Sequence, residues 1–280
     1  MCRQVSDPTS RHCARRDGFT LVELLVVMVI IGILASLILP TLASSKANAR
    51  GLFCQNNNKQ LVAGWLMYAD DHAEWLPYNL SSPAAHTNLL NWAAGVLNWE
   101  TNSDNTNYAD LTEASLGAYV AQVSTVYRCP SDSVVSSLQS AAGWGSRTRS
   151  YSMNAQVGNA GYITKSGVNT NNPNLAQFFR LTAIAVPARI FVFLDEHPDS
   201  ISDGYFVNQS SYPEWHRLPA SWHNGAAAFS FSDGHTEIHS WKCASTTPPS
   251  LPDASGRPID VSDNPLDFNW IVAHMSVPLQ

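Results

Sequence analysis

Residues 19–39 read FTLVELLVVMVIIGILASLIL, with one charge, Glu23, inside the run and Pro40 directly after it. Residues 21–39 alone make 19 positions, close to the ~20 that an α-helix needs to cross a bilayer. The run is longer than the roughly 7–15-residue apolar core of an ordinary secretory signal. It is apolar on every side, whereas a helix lying on a soluble core keeps a polar stripe. An uncleaved signal anchor and a buried core helix are the bland alternatives. A carboxylate within a bilayer costs up to roughly 2.5–3.5 kcal/mol at the centre, so Glu23 needs a positive partner. Arg15-Arg16-Asp17-Gly18 stands directly upstream. A cut after Gly18 would leave a free amine on Phe19, and that amine on an adjacent copy would neutralise Glu23.

The string Arg16-Asp17-Gly18-Phe19-Thr20-Leu21-Val22-Glu23-Leu24 resembles the class III signal of type IV prepilins and type II secretion pseudopilins. In that family a prepilin peptidase cuts after the glycine and N-methylates the new first residue. The resemblance implies cleavage between Gly18 and Phe19, methylation of Phe19 and an assembly role for Glu23. Pro40 matches the proline that relaxes the family's long helix. The implied partners are the peptidase, other pilin or pseudopilin subunits in a homo- or hetero-filament, and a secretion or pilus assembly platform. The implied location is the inner membrane, spanned once, with the C-terminal domain in the periplasm or in an extracytoplasmic filament.

Composition agrees with an exported chain. Of 280 residues, 45% are hydrophobic and only 14% charged, against a typical ~25% charged. The leader, residues 1–18, carries four Arg and two Asp, so its loss would change the formal charge from −6 to −8. An acidic remainder argues against nucleic-acid binding, which draws on basic patches. The basic leader before an apolar helix fits a cytoplasmic N-terminus. About 240 residues after the membrane segment are enough for one domain with a sizeable core.

Five cysteines are present, and Cys2 and Cys13 lie in the leader. Cys54, Cys129 and Cys243 would reach an oxidising compartment, where disulfides persist. Three thiols leave one unpaired, and three free buried thiols are equally compatible with the residues alone. No spacing among them reads as a zinc site. Related pilin-like proteins carry a cysteine after the long helix and another in an RCPSD-like turn; by that resemblance Cys54 pairs with Cys129.

The expected domains are the leader (1–18), a transmembrane and assembly helix (19–40), and a globular domain (41–280) that includes the second half of the long helix. That helix is expected to run from Phe19 to about Ala69, through Pro40. Leu42, Ala49, Leu52, Phe53, Leu61, Trp65, Leu66 and Tyr68 recur along it at roughly helical spacing. Gly51 weakens it locally. Residues 111–123 read as a short helix and 126–132 as a short strand ending at a proline turn. Residues 149–154 (RSYSMN) and 189–194 (RIFVFL) read as strands. Residues 226–231 and 235–241 form a hairpin around Asp233-Gly234. Residues 266–275 (LDFNWIVAHM) are a helix or a strand. The fold class is α+β and pilin-like: a long N-terminal helix packed on a C-terminal antiparallel sheet domain.

Two constellations carry potential chemistry. Asp195, Glu196, Asp199 and Asp203 crowd one stretch, and oxygen-rich loops suit Ca²⁺. Some major pseudopilins bind calcium in a loop, so the resemblance permits this cofactor, and a solvated acidic turn is the bland reading. The second is His223 with Asp233-Gly234, which resembles the H-x9-DG signature of prepilin-like proteins with a C-terminal sheet. A His223–Asp233 hydrogen bond would pin the hairpin turn, and metal-binding and catalytic roles are rivals. No serine or cysteine sits in a nucleophile elbow, so the chain is expected not to be an enzyme. Nine tryptophans either fill the core or, where exposed, offer surfaces for sugar rings or partners. The expected function is a structural filament subunit. A membrane-anchored glycan-binding or adhesive protein, and a hydrolase using Asp195/Glu196 or His223/Asp233, are the alternatives.

Overall fold

A computed structural model describes residues 19–252 and 259–279. Gly18 and the leader before it lie outside the described residues. The chain divides into two compact units, Met1–Ser44 and Ser45–Gln280. One helix, α1 (Leu21–Asp71, 51 residues), begins in the first and ends in the second. Pro40 lies inside it; a proline removes one backbone donor and need not end a helix held elsewhere. Ala73 and Glu74, both at positive φ, stop it, and the Glu74 amide donates back to the Ala69 carbonyl at 2.8 Å.

In the first unit every side chain from Leu21 to Leu39 is exposed. This is the one helix among the described residues that is long and apolar enough to cross a membrane.

The second unit is built on a five-stranded sheet. Its strands are β1 (Tyr151–Asn154), β2 (Phe191–Asp195), β3 (Tyr205–Phe206), β4 (Ala226–Phe231) and β5 (Thr236–Ser240). The spatial order is β3-β1-β2-β4-β5. All neighbours are antiparallel except β1 and β3, which run parallel with Met153 opposite Tyr205. The sheet is therefore mixed rather than purely antiparallel. The β4–β5 turn is Ser232-Asp233-Gly234, where Gly234 at φ +88° supplies the left-handed residue of a three-residue hairpin loop.

The strand β2 is buried along its whole length. Its register with β4 shifts between Phe191 and Phe193. Such a bulge breaks strict alternation, so Val192 and Phe193 join one core and Phe191 and Leu194 the other. On the first face Cys54, Leu61, Val62, Trp65 and Ala69 of α1 meet Tyr127, Tyr151 and Met153. On the second, Phe229 and Phe231 of β4 meet Phe268, Ile271 and Met275 of the C-terminal helix, Leu266–Met275. The i, i+3, i+7 spacing of those last three explains why that segment is helical.

Several local expectations are corrected. Leu42, Leu52 and Phe53 are exposed; the apolar positions of α1 are too many for one face. Residues 111–123 do not form one helix. A short α-turn, Ala109–Thr112, ends before Gly117, where a Cβ would stand 2.1 Å from the Thr112 carbonyl oxygen, and Ala121 and Gln122 take positive φ. Residues 126–132 are not a strand: a 3-10 turn, Ser124–Tyr127, leads into a turn closed by the Asp132 amide on the Cys129 carbonyl. Of the nine tryptophans only Trp75 is exposed, and Arg180 covers its ring at 4.4 Å. Trp65 and Trp92 are fully buried.

Candidate functional site

The N-terminus of α1 is held by a reciprocal cap. The Thr20 amide and hydroxyl both donate to Glu23 Oε2, at 2.8 and 2.7 Å, and the Glu23 amide donates to Thr20 Oγ1 at 3.3 Å. This is a capping box, and the carboxylate also complements the positive end of the helix dipole. Phe19 directly precedes it and is exposed. The Thr20-x-x-Glu23 spacing is itself a capping signature, a role that comes in addition to the membrane cost and the assembly contact read for Glu23 from the sequence.

A second constellation is buried inside the globular unit. Cys54 of α1 and Cys129 of the turn form a disulfide, with Cα atoms 5.0 Å apart. His223, just before β4, places Nε2 3.4 Å from Cys129 Sγ and 3.5 Å from Asp195 Oδ2 at the end of β2. All four residues are buried. Neither Asp195 oxygen completes a hydrogen bond, nor does His223 Nδ1. Burial pushes the Asp195 carboxyl above its usual range, and His223 opposes that shift. Gly51 explains how α1 comes so close: a Cβ there would lie 3.3 Å from His223 Cγ and 3.2 Å from Ile238 Cδ1. Beside His223 opens a cavity of about 500 Å³, also lined by Ser45, Asn48, Ala49, Leu52 and Ile238.

Three comparisons bear on this geometry. Residues 13–39 match the family model described as prokaryotic N-terminal methylation motif. Residues 43–179 match one described as protein of unknown function (DUF1559). The chain is 33% identical over 87 residues to the type II secretion system core protein G of Klebsiella pneumoniae. That match covers 29% of this chain and 62% of the relative's length. The chain thus carries the N-terminal methylation motif and is similar to a pseudopilin over part of its length. No solved structure matches it. Gly51, Cys54 and Cys129 fall in the second matched region, while Asp195 and His223 lie beyond it.

The structure does not bring His223 to Asp233. The six residues of β4 lie between them, about 20 Å of strand, and Asp233 instead bonds the exposed His235 ring at 2.6 Å. Nor do Asp195, Glu196, Asp199 and Asp203 form one oxygen cage. Asp195 and Glu196 are consecutive on an extended chain and point to opposite faces. Glu196 accepts from Ser200 Oγ at 2.8 Å and lies 3.8 Å from Arg217, which binds Asp203 at 3.0 Å. Asp203 also accepts the Ser82 and Tyr205 amides, and Asp199 the Leu251 amide. The protein's own guanidinium and amides thus serve these acids where the calcium expectation placed a cation. Arg217 was not singled out from the sequence because its partners are 14 and 21 residues away.

Proposed function

We propose that this chain is a structural subunit of a type II secretion pseudopilus or type IV pilus-like filament, assembled after cleavage between Gly18 and Phe19. The observation that carries the reading is an acid, Glu23, in the first turn of an exposed apolar helix whose start directly follows Phe19. In the membrane the helix anchors the subunit, spanning once, with the globular unit outside the cytoplasm. In the filament the same apolar surface packs against other copies. Glu23 then meets the Phe19 amine of a neighbour, and the pairing offsets the cost of holding a charge in an apolar bundle. The peptidase, sister subunits and an assembly platform are the partners.

The reading is structural, not catalytic. His223 and Asp195 lie buried beside the Cys54–Cys129 disulfide. The adhesive alternative drew on exposed tryptophans, and only Trp75 is exposed.

The test is the intact mass of the chain purified from cells that hold a prepilin peptidase. Loss of residues 1–18 and one added methyl group are expected, and a retained leader overturns the reading. Glu23→Ala is expected to be cleaved yet excluded from sheared filaments; normal incorporation refutes the assembly role.

A further inference from the structure

The four donors around His223 come from four separate stretches of chain, and none is used by the filament reading. Cys54 Sγ, Cys129 Sγ, His223 Nε2 and an Asp195 oxygen lie within 4.8 Å of one another. Bonds of about 2.0–2.3 Å to a tetrahedral zinc imply donor–donor edges of about 3.3–3.8 Å. Two edges already have that length: His223 to Cys129 at 3.4 Å and His223 to Asp195 at 3.5 Å. The other pairs lie within 4.8 Å, and the two sulfurs, joined in the disulfide, would separate on reduction. The Asp195 carboxylate is fully buried with no close hydrogen bond to either oxygen, though the Ala228 amide and the Ser150 hydroxyl face it, and a buried carboxylate is costly unless a positive charge or further donors complete it. The cavity described above is lined in part by His223.

We propose that, in the dithiol form, the chain binds one zinc-class divalent ion through Cys54, Cys129, His223 and Asp195, so that metal and disulfide are alternative staples at one place. Two thiolates and an imidazole select zinc over calcium or magnesium, which take oxygen donors. Four protein donors make a closed, structural site rather than a catalytic one. The exchange balances with a dithiol as reductant. That dithiol becomes a disulfide as the Cys54–Cys129 bond takes two electrons, and two thiol protons leave as the thiolates bind the ion. Either staple ties α1 to the Cys129 turn, and the metal form adds β2 and the approach to β4. The inference does not depend on filament assembly.

The test uses the full chain in detergent, stripped with a chelator and reduced with a phosphine, then titrated with Co²⁺. Thiolate-to-cobalt charge transfer and tetrahedral visible bands are expected at one Co²⁺ per chain, with displacement by Zn²⁺. The oxidised chain should show neither. His223→Ala and Asp195→Asn should each weaken Co²⁺ binding at least about 10-fold. No bands in the reduced chain, or unchanged affinity in a folded variant, overturns the site. A measurement on the unsubstituted chain guards against variants that fail to fold. Zn²⁺ should slow alkylation of Cys54 and Cys129, read by peptide mass, by at least about tenfold, and equal rates with and without Zn²⁺ overturn the proposal.

Discussion

His223 Nε2 stands 3.5 Å from Asp195 Oδ2, with both side chains inside the protein. The two residues are 28 positions apart and belong to neighbouring strands' ends. Each limits the cost of the other: removing the imidazole leaves a buried carboxyl with only the Ala228 amide and the Ser150 hydroxyl to oppose its desolvation. In the disulfide form, His223→Ala is expected to cost about 3 kcal/mol. The Asp195→Ala/His223→Ala pair should be less destabilising than the sum of the singles, by about 1 kcal/mol or more. Denaturant midpoints of the four chains in a double-mutant cycle measure this, and additivity contradicts it.

Cys54 and Cys129 close a loop with a sequence separation of 75. Chain entropy alone makes such a link worth about 4 kcal/mol. Reducing the chain with a chelator present should lower its unfolding free energy by that order. A loss below about 1 kcal/mol would mean that the core, not the link, holds α1 in place.

Asp132, in the turn after Cys129, is buried, and burial pushes its pKa up to about 6 from 3.8. Arg147 and the Val134 amide only partly offset this. The folded chain therefore binds a proton that the unfolded chain has already lost. Stability is unpenalised below about pH 3.8, falls as pH rises, and carries a full penalty of about 3 kcal/mol above about pH 6. Asp132→Asn should gain up to that amount at pH 7 and nothing at pH 3.5. Parallel stability–pH curves for the two chains would contradict the assignment.

The cap and the proposed filament contact are separable at Glu23. As the third helical residue it accepts from Thr20, and a glutamine there serves a capping box as well. As an anion it would pair with the Phe19 amine of a neighbour. Glu23→Gln keeps the first and loses the second. Filament incorporation of Glu23→Gln should fall as far as that of Glu23→Ala. Wild-type incorporation would mean that capping, worth about 1 kcal/mol, is the whole contribution.

Much of the fold was legible because it is local. The helix expected over residues 19–69 is Leu21–Asp71, and its membrane length follows from composition alone. The apolar run ending at Leu194 is a buried central strand, and the Asp233-Gly234 turn joins two strands. Where local signals conflicted they misled. Residues 111–123 look helical until the backbone at Gly117 passes within 2.1 Å of where a side chain would begin. The spacing of His223 and Asp233 suggested a contact, but an intervening strand holds them at opposite ends.

The sequence by itself determined an apolar helix, the acid at its start, the motif before it and the four longer strands of the sheet. Each depends on neighbours within a turn or two of chain. Only the tertiary structure decided that Asp195 turns to His223, where α1 passes at Gly51, while Glu196 turns to Arg217 on the other face. Those contacts depend on strand alternation, on a bulge in β2 and on the path of segments up to 169 residues apart. Convergence over such distances is a property of packing, and no spacing along the chain encodes it.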